Sequence, residues 1–189
     1  MKKFELTSET KINIFGKKLF RIKALISFGV VKTGETGGWV EKEENVNQSG
    51  NAWVSGDAEV FGNARVSGNA EVSGDARVSG DAEVFGDARV SGNAWVFDNA
   101  EVSGNAEVSG NAEVSGNADY TTIHGFGTQF RTTTFFRCKN KQVKVSCGCF
   151  YGTIPEFREQ VKNTRKGKIA EEYLMIADLM EKHFAEEAK

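Results

Sequence analysis

The residues that could bind a metal or act as nucleophiles are few in this sequence. Three cysteines, Cys138, Cys147 and Cys149, follow His124, so a hairpin that paired their strands would offer four zinc ligands. One residue separates Cys147 from Cys149, whereas the usual zinc knuckle is Cys-x-x-Cys. We therefore interpret the cysteines as free thiols packed in a Phe-rich hairpin, and we expect no metal and no cofactor.

Basic residues are frequent in the segment that carries the cysteines. Five of them are candidates for the phosphate contacts of a small nucleotide at a seam between subunits: Arg131, Arg137, Lys139, Lys141 and Lys144. The alternative is a charged strand edge that keeps the protein soluble. The sequence has no Gly-Lys-Ser/Thr phosphate loop, because its glycines follow a different spacing.

The glycines mark a six-residue repeat. Residues 50–121 read as twelve hexads, which begin GNAWVS, GDAEVF and GNARVS. Each hexad joins a short Ala-x-Val strand, whose Ala and Val share one face, to a Gly-Asn or Gly-Asp turn. Strands this short do not form an independent sheet, so they must stack as coils. Three hexads per coil predict a triangular β-solenoid of four 18-residue coils.

This geometry predicts three outward columns of side chains, one for each face of the solenoid. In two columns, acids, bases and indoles alternate, which stabilises adjacent strands: Trp53, Glu71, Arg89, Glu107, and Glu59, Arg77, Trp95, Glu113. The third column contains Arg65 and then three acids, Glu83, Glu101 and Asp119. We predict that these acids contact a basic partner, and the alternative is a solvated acidic face.

Aromatic residues are concentrated on one face of the predicted solenoid. Phe61, Phe97 and Trp95 share this face. Exposed aromatic patches mark interfaces, so we predict that these three side chains contact a protein partner. Docking of another segment of the same chain is the alternative.

The hexads resemble those of the hexapeptide-repeat family, whose members form left-handed parallel β-helices. With the entry segment GGWVEKEEN, they look like uncharacterised members from bacteria and their phages. The resemblance implies a left-handed solenoid, a dimer or trimer, and a phage origin. Enzymes of the family are mostly acyltransferases with a histidine base, and here only His124 lies in a place to serve. No histidine occurs within the hexads, so an acyltransferase is the alternative to a non-enzymatic protein.

The flanks of the repeat predict two further units. Residues 1–48 contain β-rich runs at 12–15 and 19–26, which predict a hairpin that caps the solenoid at 49–121. Residues 122–189 predict two strands around Lys139–Lys141 and two helices. A capping box at Thr153–Glu156 starts the first helix, and the second presents an apolar stripe that packs on its own hairpin.

Charge and hydropathy restrict the function. The hexad region carries three basic and twelve acidic residues, so a nucleic-acid groove along the solenoid is not expected. No apolar run is long enough for a membrane span, which predicts a cytoplasmic protein. We interpret the chain as a mainly β, non-enzymatic binding protein, phage-encoded, that inhibits or sequesters a host defence protein or nucleotide signal. A purely structural solenoid remains open as a further alternative.

Overall fold

The computed structural model describes residues 2–185, and its centre is a β-solenoid of about four turns. Eleven two-residue strands of the described chain form its walls. They are β4 (Trp53–Val54), β5 (Glu59–Val60), β6 (Arg65–Val66), β7 (Glu71–Val72), β8 (Arg77–Val78), β9 (Glu83–Val84), β10 (Arg89–Val90), β11 (Trp95–Val96), β12 (Glu101–Val102), β13 (Glu107–Val108) and β14 (Glu113–Val114).

Each coil contains 18 residues, as the repeat predicts. Trp53 pairs in parallel with Glu71, and Glu71 pairs in turn with Arg89. The same spacing relates Glu59 to Arg77 on the second face and Arg65 to Glu83 on the third. Equivalent side chains therefore lie directly above one another.

The solenoid core consists of the Ala and Val columns of the hexads. The Ala and Val side chains of these strands, from Ala52 to Val114, are fully buried. Burial of each valine stabilises the fold by about 1.5–3 kcal/mol. At the corners, glycines such as Gly92 take a positive φ of 67°, and a Cβ there would lie 2.9 Å from the backbone nitrogen of Gly110. Close stacking of coils thus requires glycine.

Two of the predicted columns are confirmed, whereas the third ends early. On the third face the sheet contains β6, β9 and β12, so Glu83 and Glu101 are direct neighbours. Asp119 does not continue this column. Its carboxylate accepts hydrogen bonds from the backbone and hydroxyl of Ser115, because the chain leaves the coil at this point. The prediction of three stacked acids is therefore corrected to two.

The N-terminal hairpin is longer than predicted. Strand β1 (Phe4–Ile12) pairs antiparallel with β2 (Lys18–Ala24), and β2 pairs with β3 (Thr36–Val40). Strand β1 therefore ends at Ile12, the residue at which the sequence had predicted the first strand to begin. The strand was missed because its many polar side chains obscure the apolar alternation. Strand β3 pairs in parallel with β5, so stacking begins upstream of the hexads.

The C-terminal unit is a four-stranded antiparallel sheet with two helices. Its strands follow the order β15 (Tyr120–Phe126), β16 (Arg131–Arg137), β17 (Val143–Cys147) and β18 (Phe150–Thr153). The sequence predicted β16 and β17 but not β15 and β18. Helices α1 (Ile154–Thr164), with its capping box, and α2 (Gly167–His183) are confirmed, and both pack on this sheet.

Neither helix of the described chain has the length and apolar content that a bilayer crossing requires.

Candidate functional site

The predicted aromatic patch is partly covered by the N-terminal hairpin. The ring of Phe15, in the turn between β1 and β2, lies 5.4 Å from the Phe61 ring and 5.5 Å from that of Trp95, centroid to centroid. Phe61 is buried, and Trp95 and Phe97 are half-buried. The expectation that Phe61 faces a partner is therefore corrected, because the hairpin reaches further along this face than predicted.

Beyond Phe15, the hairpin and the C-terminal sheet leave a groove of about 680 Å³ between them. Its floor is the second column of the solenoid, including Arg77, Trp95 and Glu113. We call this space the interdomain groove. The residues that line it are Ile14, Phe15, Arg77, Asn93, Trp95, Asn111, Ala112, Glu113, Cys138, Lys139, Asn140, Lys144 and Tyr151.

Positive charge predominates in the interdomain groove, although the solenoid as a whole is acidic. Its lining residues include three cations, Arg77, Lys139 and Lys144, and one carboxylate, that of Glu113. The Arg77 Nε lies 3.8 Å from Glu59 Oε2, and Glu59 also pairs with Lys11 at 2.8 Å. Glu59 is thus shared between two cations, which leaves the groove with an excess of positive charge.

Aromatic and amide groups complete the lining. Phe15, Trp95 and Tyr151 contribute rings from the hairpin, the solenoid and the C-terminal sheet. The ammonium group of Lys144 lies 5.7 Å from the Tyr151 ring centroid. Side-chain amides of Asn93, Asn111 and Asn140 add donors and acceptors. This combination suits a planar polar group attached to an anion.

The C-terminal sheet is docked on the solenoid by backbone contacts. Ala112 and Cys138 form an antiparallel bridge, and the Lys139 N–H donates to the Asn111 carbonyl at 3.2 Å. The Tyr151 hydroxyl lies so close to Gly110 that a Cβ there would collide with it. These contacts fix Lys139 and Tyr151 at the groove.

Burial determines the protonation of two groups at the groove. It raises the pKa of the Cys138 thiol, with the charge of Glu113 acting in the same direction and that of Lys144 opposing it. Burial, together with the Cys138 charge, also raises the pKa of Tyr151. Both groups are therefore neutral near pH 7, and Cys138 is a poor nucleophile.

The five basic candidates do not form one cluster. Lys139 and Lys144 line the interdomain groove, whereas Lys141 lies in the turn before β17 with a φ of 63°. Arg137 pairs with Asp119 at 3.5 Å and donates to the Phe184 carbonyl. Arg131 lies beside Gly148 in a different cleft. The structure thus separates the predicted phosphate contacts while bringing two of them close to Trp95.

The acidic candidates lie on the open third face. Glu83 and Glu101 are exposed and directly paired, with Arg65 before them. Asp119 is oriented toward Ser115 and Arg137 instead. The face presents two adjacent carboxylates rather than three.

His124 and the three cysteines are not grouped as metal ligands in the part of the chain that the structure describes. The His124 Nδ1 lies 3.1 Å from the Thr132 hydroxyl, in a shallow cleft with Arg89 and Glu107. Cys147 accepts a hydrogen bond from Thr133, and Cys149 is exposed. Residues 2–185 contain no group of three or more His, Cys, Asp or Glu side chains placed to hold a metal ion.

Several groove residues were not predicted from the sequence. Phe15 was assigned to a hairpin, Arg77 to a structural ladder and Asn140 to a turn, and Tyr151 was given no role. The column register could have identified Arg77 as a neighbour of Trp95, because the two residues pair on adjacent strands. The approach of the two flanking units over this column left no signal in the sequence.

The chain matches no protein-family model, and no curated protein sequence matches it significantly.

Proposed function

We propose that this chain is a non-enzymatic binding protein that sequesters a small nucleotide in the interdomain groove. One observation supports this proposal. Trp95 of the solenoid and Lys139 and Lys144 of the C-terminal unit line the same groove of about 680 Å³. A groove of this size lies within the range of small-molecule sites, about 300–1,000 Å³.

Each part of a nucleotide has a matching group in the groove. A base stacks on the rings of Trp95 and Phe15, and such stacking contributes about 1–3 kcal/mol. The asparagine amides pair with the polar edge of the base. Lys139, Lys144 and Arg77 neutralise the phosphates. Release of an intact ligand is expected, because Cys138 is neutral and no histidine lines the groove.

The hexad pattern supports placing the chain with left-handed hexapeptide-repeat proteins, including those of phages. In that setting the nucleotide is a defence signal of the host, and its sequestration inhibits the response. A dimer or trimer, as in other proteins of that type, stays a prediction that a sizing column tests.

A host protein as the target is the second candidate. It is favoured by the open third face, where Glu83 and Glu101 are exposed and adjacent. A basic surface on the partner would relieve their repulsion. Loss of partner capture in a Glu83→Gln, Glu101→Gln variant, with nucleotide binding intact, would support this candidate.

The nucleotide proposal is tested by titrating the full-length protein with mononucleotides and cyclic dinucleotides while recording tryptophan emission. Trp39 and Trp53 are buried, so quenching reports mainly on Trp95, and a Trp95→Phe variant should abolish it. Changing Lys139 and Lys144 together to Gln should weaken binding about tenfold or more. Lys23→Gln, at an exposed position of β2 outside the groove, is the control and should bind normally.

A second measurement identifies the natural ligand. Protein purified from its host is heated, and the released small molecules are analysed by mass spectrometry. An intact nucleotide supports sequestration. The proposal is overturned if no nucleotide binds or co-purifies, or if the double lysine variant binds as tightly as the unmodified protein.

A further inference from the structure

A second cavity lies entirely within the C-terminal unit. It has a volume of about 360 Å³ and lies between α1, the β17–β18 hairpin and the end of β15. Apolar side chains form much of its wall: Phe126, Phe150, Phe157, Val161 and Tyr173. The Phe157 ring is central, since its centroid lies 5.4 Å from that of Phe150 and 5.8 Å from that of Tyr173.

Two polar side chains in the wall of this cavity, Tyr173 and Cys147, are already hydrogen-bonded. The Tyr173 hydroxyl donates to the Phe126 carbonyl at 3.2 Å, and the Thr133 hydroxyl donates to the Cys147 sulfur at 3.1 Å. Burial raises the pKa of Tyr173, so its hydroxyl stays neutral. The aromatic rings therefore offer an apolar patch to a ligand, whereas the threonine, glutamine and arginine side chains make the rest of the wall polar.

Two arginines border the same cavity, and none of its lining residues is an acid. Arg131 donates to the Gln129 side chain, and Arg165 donates to the Thr164 carbonyl at 3.2 Å, so both of these acceptors are neutral. Arg158, on the same helix α1, differs because it pairs with the carboxylates of Asp178 and Glu181. The guanidinium groups at the cavity therefore keep donors for an anion.

We propose that this cavity binds a small amphiphilic carboxylate, with its apolar tail against Phe157 and its carboxylate between Arg131 and Arg165. The planar guanidinium fork matches a carboxylate with two parallel hydrogen bonds. The volume lies near the lower limit for small-molecule pockets, so the tail is short. This site is separate from the interdomain groove and does not depend on the nucleotide proposal.

Sodium decanoate is the probe, and isothermal titration calorimetry of the full-length protein measures its binding. Saturable one-to-one binding is expected, with little binding of methyl decanoate, which has the tail without the charge. Arg165→Gln and Arg131→Gln should each weaken decanoate binding about tenfold. Gln160→Trp, which keeps the charge but fills the cavity mouth, should also weaken it.

Lys162→Gln is the matched control, because it removes a positive charge from α1 at an exposed residue that does not line the cavity. It should bind decanoate normally, and circular dichroism checks the fold of every variant. The proposal is wrong if decanoate does not bind saturably, or if both arginine variants bind it unchanged. It is also wrong if acetate binds as tightly, since the apolar wall then contributes nothing.

Discussion

Phe15 at the tip of the N-terminal hairpin packs on Trp95 of the solenoid, with ring centroids 5.5 Å apart. The Trp95 ring also contacts Phe97, with ring centroids 4.4 Å apart. One wall of the interdomain groove therefore depends on a turn that precedes the solenoid in sequence. Loss of this contact should affect the groove without disturbing the buried Ala and Val columns.

Phe15→Ala should uncover Trp95 and destabilise the protein modestly. An aromatic pair contributes about 0.5–1.5 kcal/mol, and Phe15 is itself 45% exposed, so we expect a loss of about 1 kcal/mol. Tryptophan emission should shift to longer wavelength as Trp95 gains water. Ile14→Ala is the control, because Ile14 is 76% exposed and should change neither quantity. An unchanged emission maximum in Phe15→Ala would contradict the packing.

The open third face carries a repulsion that one substitution should remove. Glu101→Arg would give Glu83 an arginine neighbour on both adjacent strands. Cross-strand pairs of opposite charge contribute roughly 0.2–1 kcal/mol, so this variant should be more stable. Glu71→Arg is the matched comparison, because it would put like charges beside each other at Arg89 and should destabilise. Urea unfolding should show opposite shifts, both smaller in high salt. Shifts of the same sign would contradict the column electrostatics.

Lys3 predicts a distinct dependence of stability on pH. Its ammonium group is buried at the start of the solenoid, where it donates to the Ala52 carbonyl at 2.8 Å and lies 4.8 Å from the Phe28 ring centroid. Burial lowers its pKa from 10.5 to about 8. Between these pH values the unfolded chain binds the extra proton, so the free energy of unfolding rises with pH.

Lys3→Met isolates this effect, because the other titrating groups are common to both proteins. Relative to the variant, the unmodified protein should gain stability on the order of 3 kcal/mol as the pH rises from about 8 to 10.5. Denaturant unfolding at several pH values measures the difference. Parallel pH profiles for the two proteins would show that Lys3 titrates normally.

The sequence predicted the solenoid well because its repeat is local and strict. Two positions in each hexad determine the core, and one glycine determines the corner, so the register from Trp53 to Glu107 follows from counting. The interdomain groove could not be predicted in this way. The groove depends on where Phe15 and Tyr151 pack on the solenoid. Contacts between separate units produce no periodic pattern in the sequence. Strand β18 was missed because it is short and leads directly into α1.

Asp98 is the residue at which the hexads depart from their Gly-Asn/Asp corner, and the structure explains why it is tolerated. Its φ is 54°, a left-handed conformation that glycine adopts more easily. The corner one coil later would be Gly116, but no strand of the described chain follows β12 on this face. The Glu101 N–H bonds instead to the Asn117 side chain. Stacking in the described chain ends just beyond this corner, so we expect the main cost at Asp98 to be its backbone strain.

Asp98→Gly should consequently stabilise the protein by about 0.5–1 kcal/mol, since the relief of left-handed strain exceeds the entropy that glycine adds to the unfolded chain. Gly92→Asp makes the reverse change at a corner that does carry a further coil. It should destabilise by about 2 kcal/mol or more, because its Cβ would lie 2.9 Å from the Gly110 nitrogen in addition to the strain. Thermal and urea unfolding of both variants provide the measurement. Destabilisation by Asp98→Gly would instead mean that the Asp98 carboxylate makes a stabilising contact at the end of the third face.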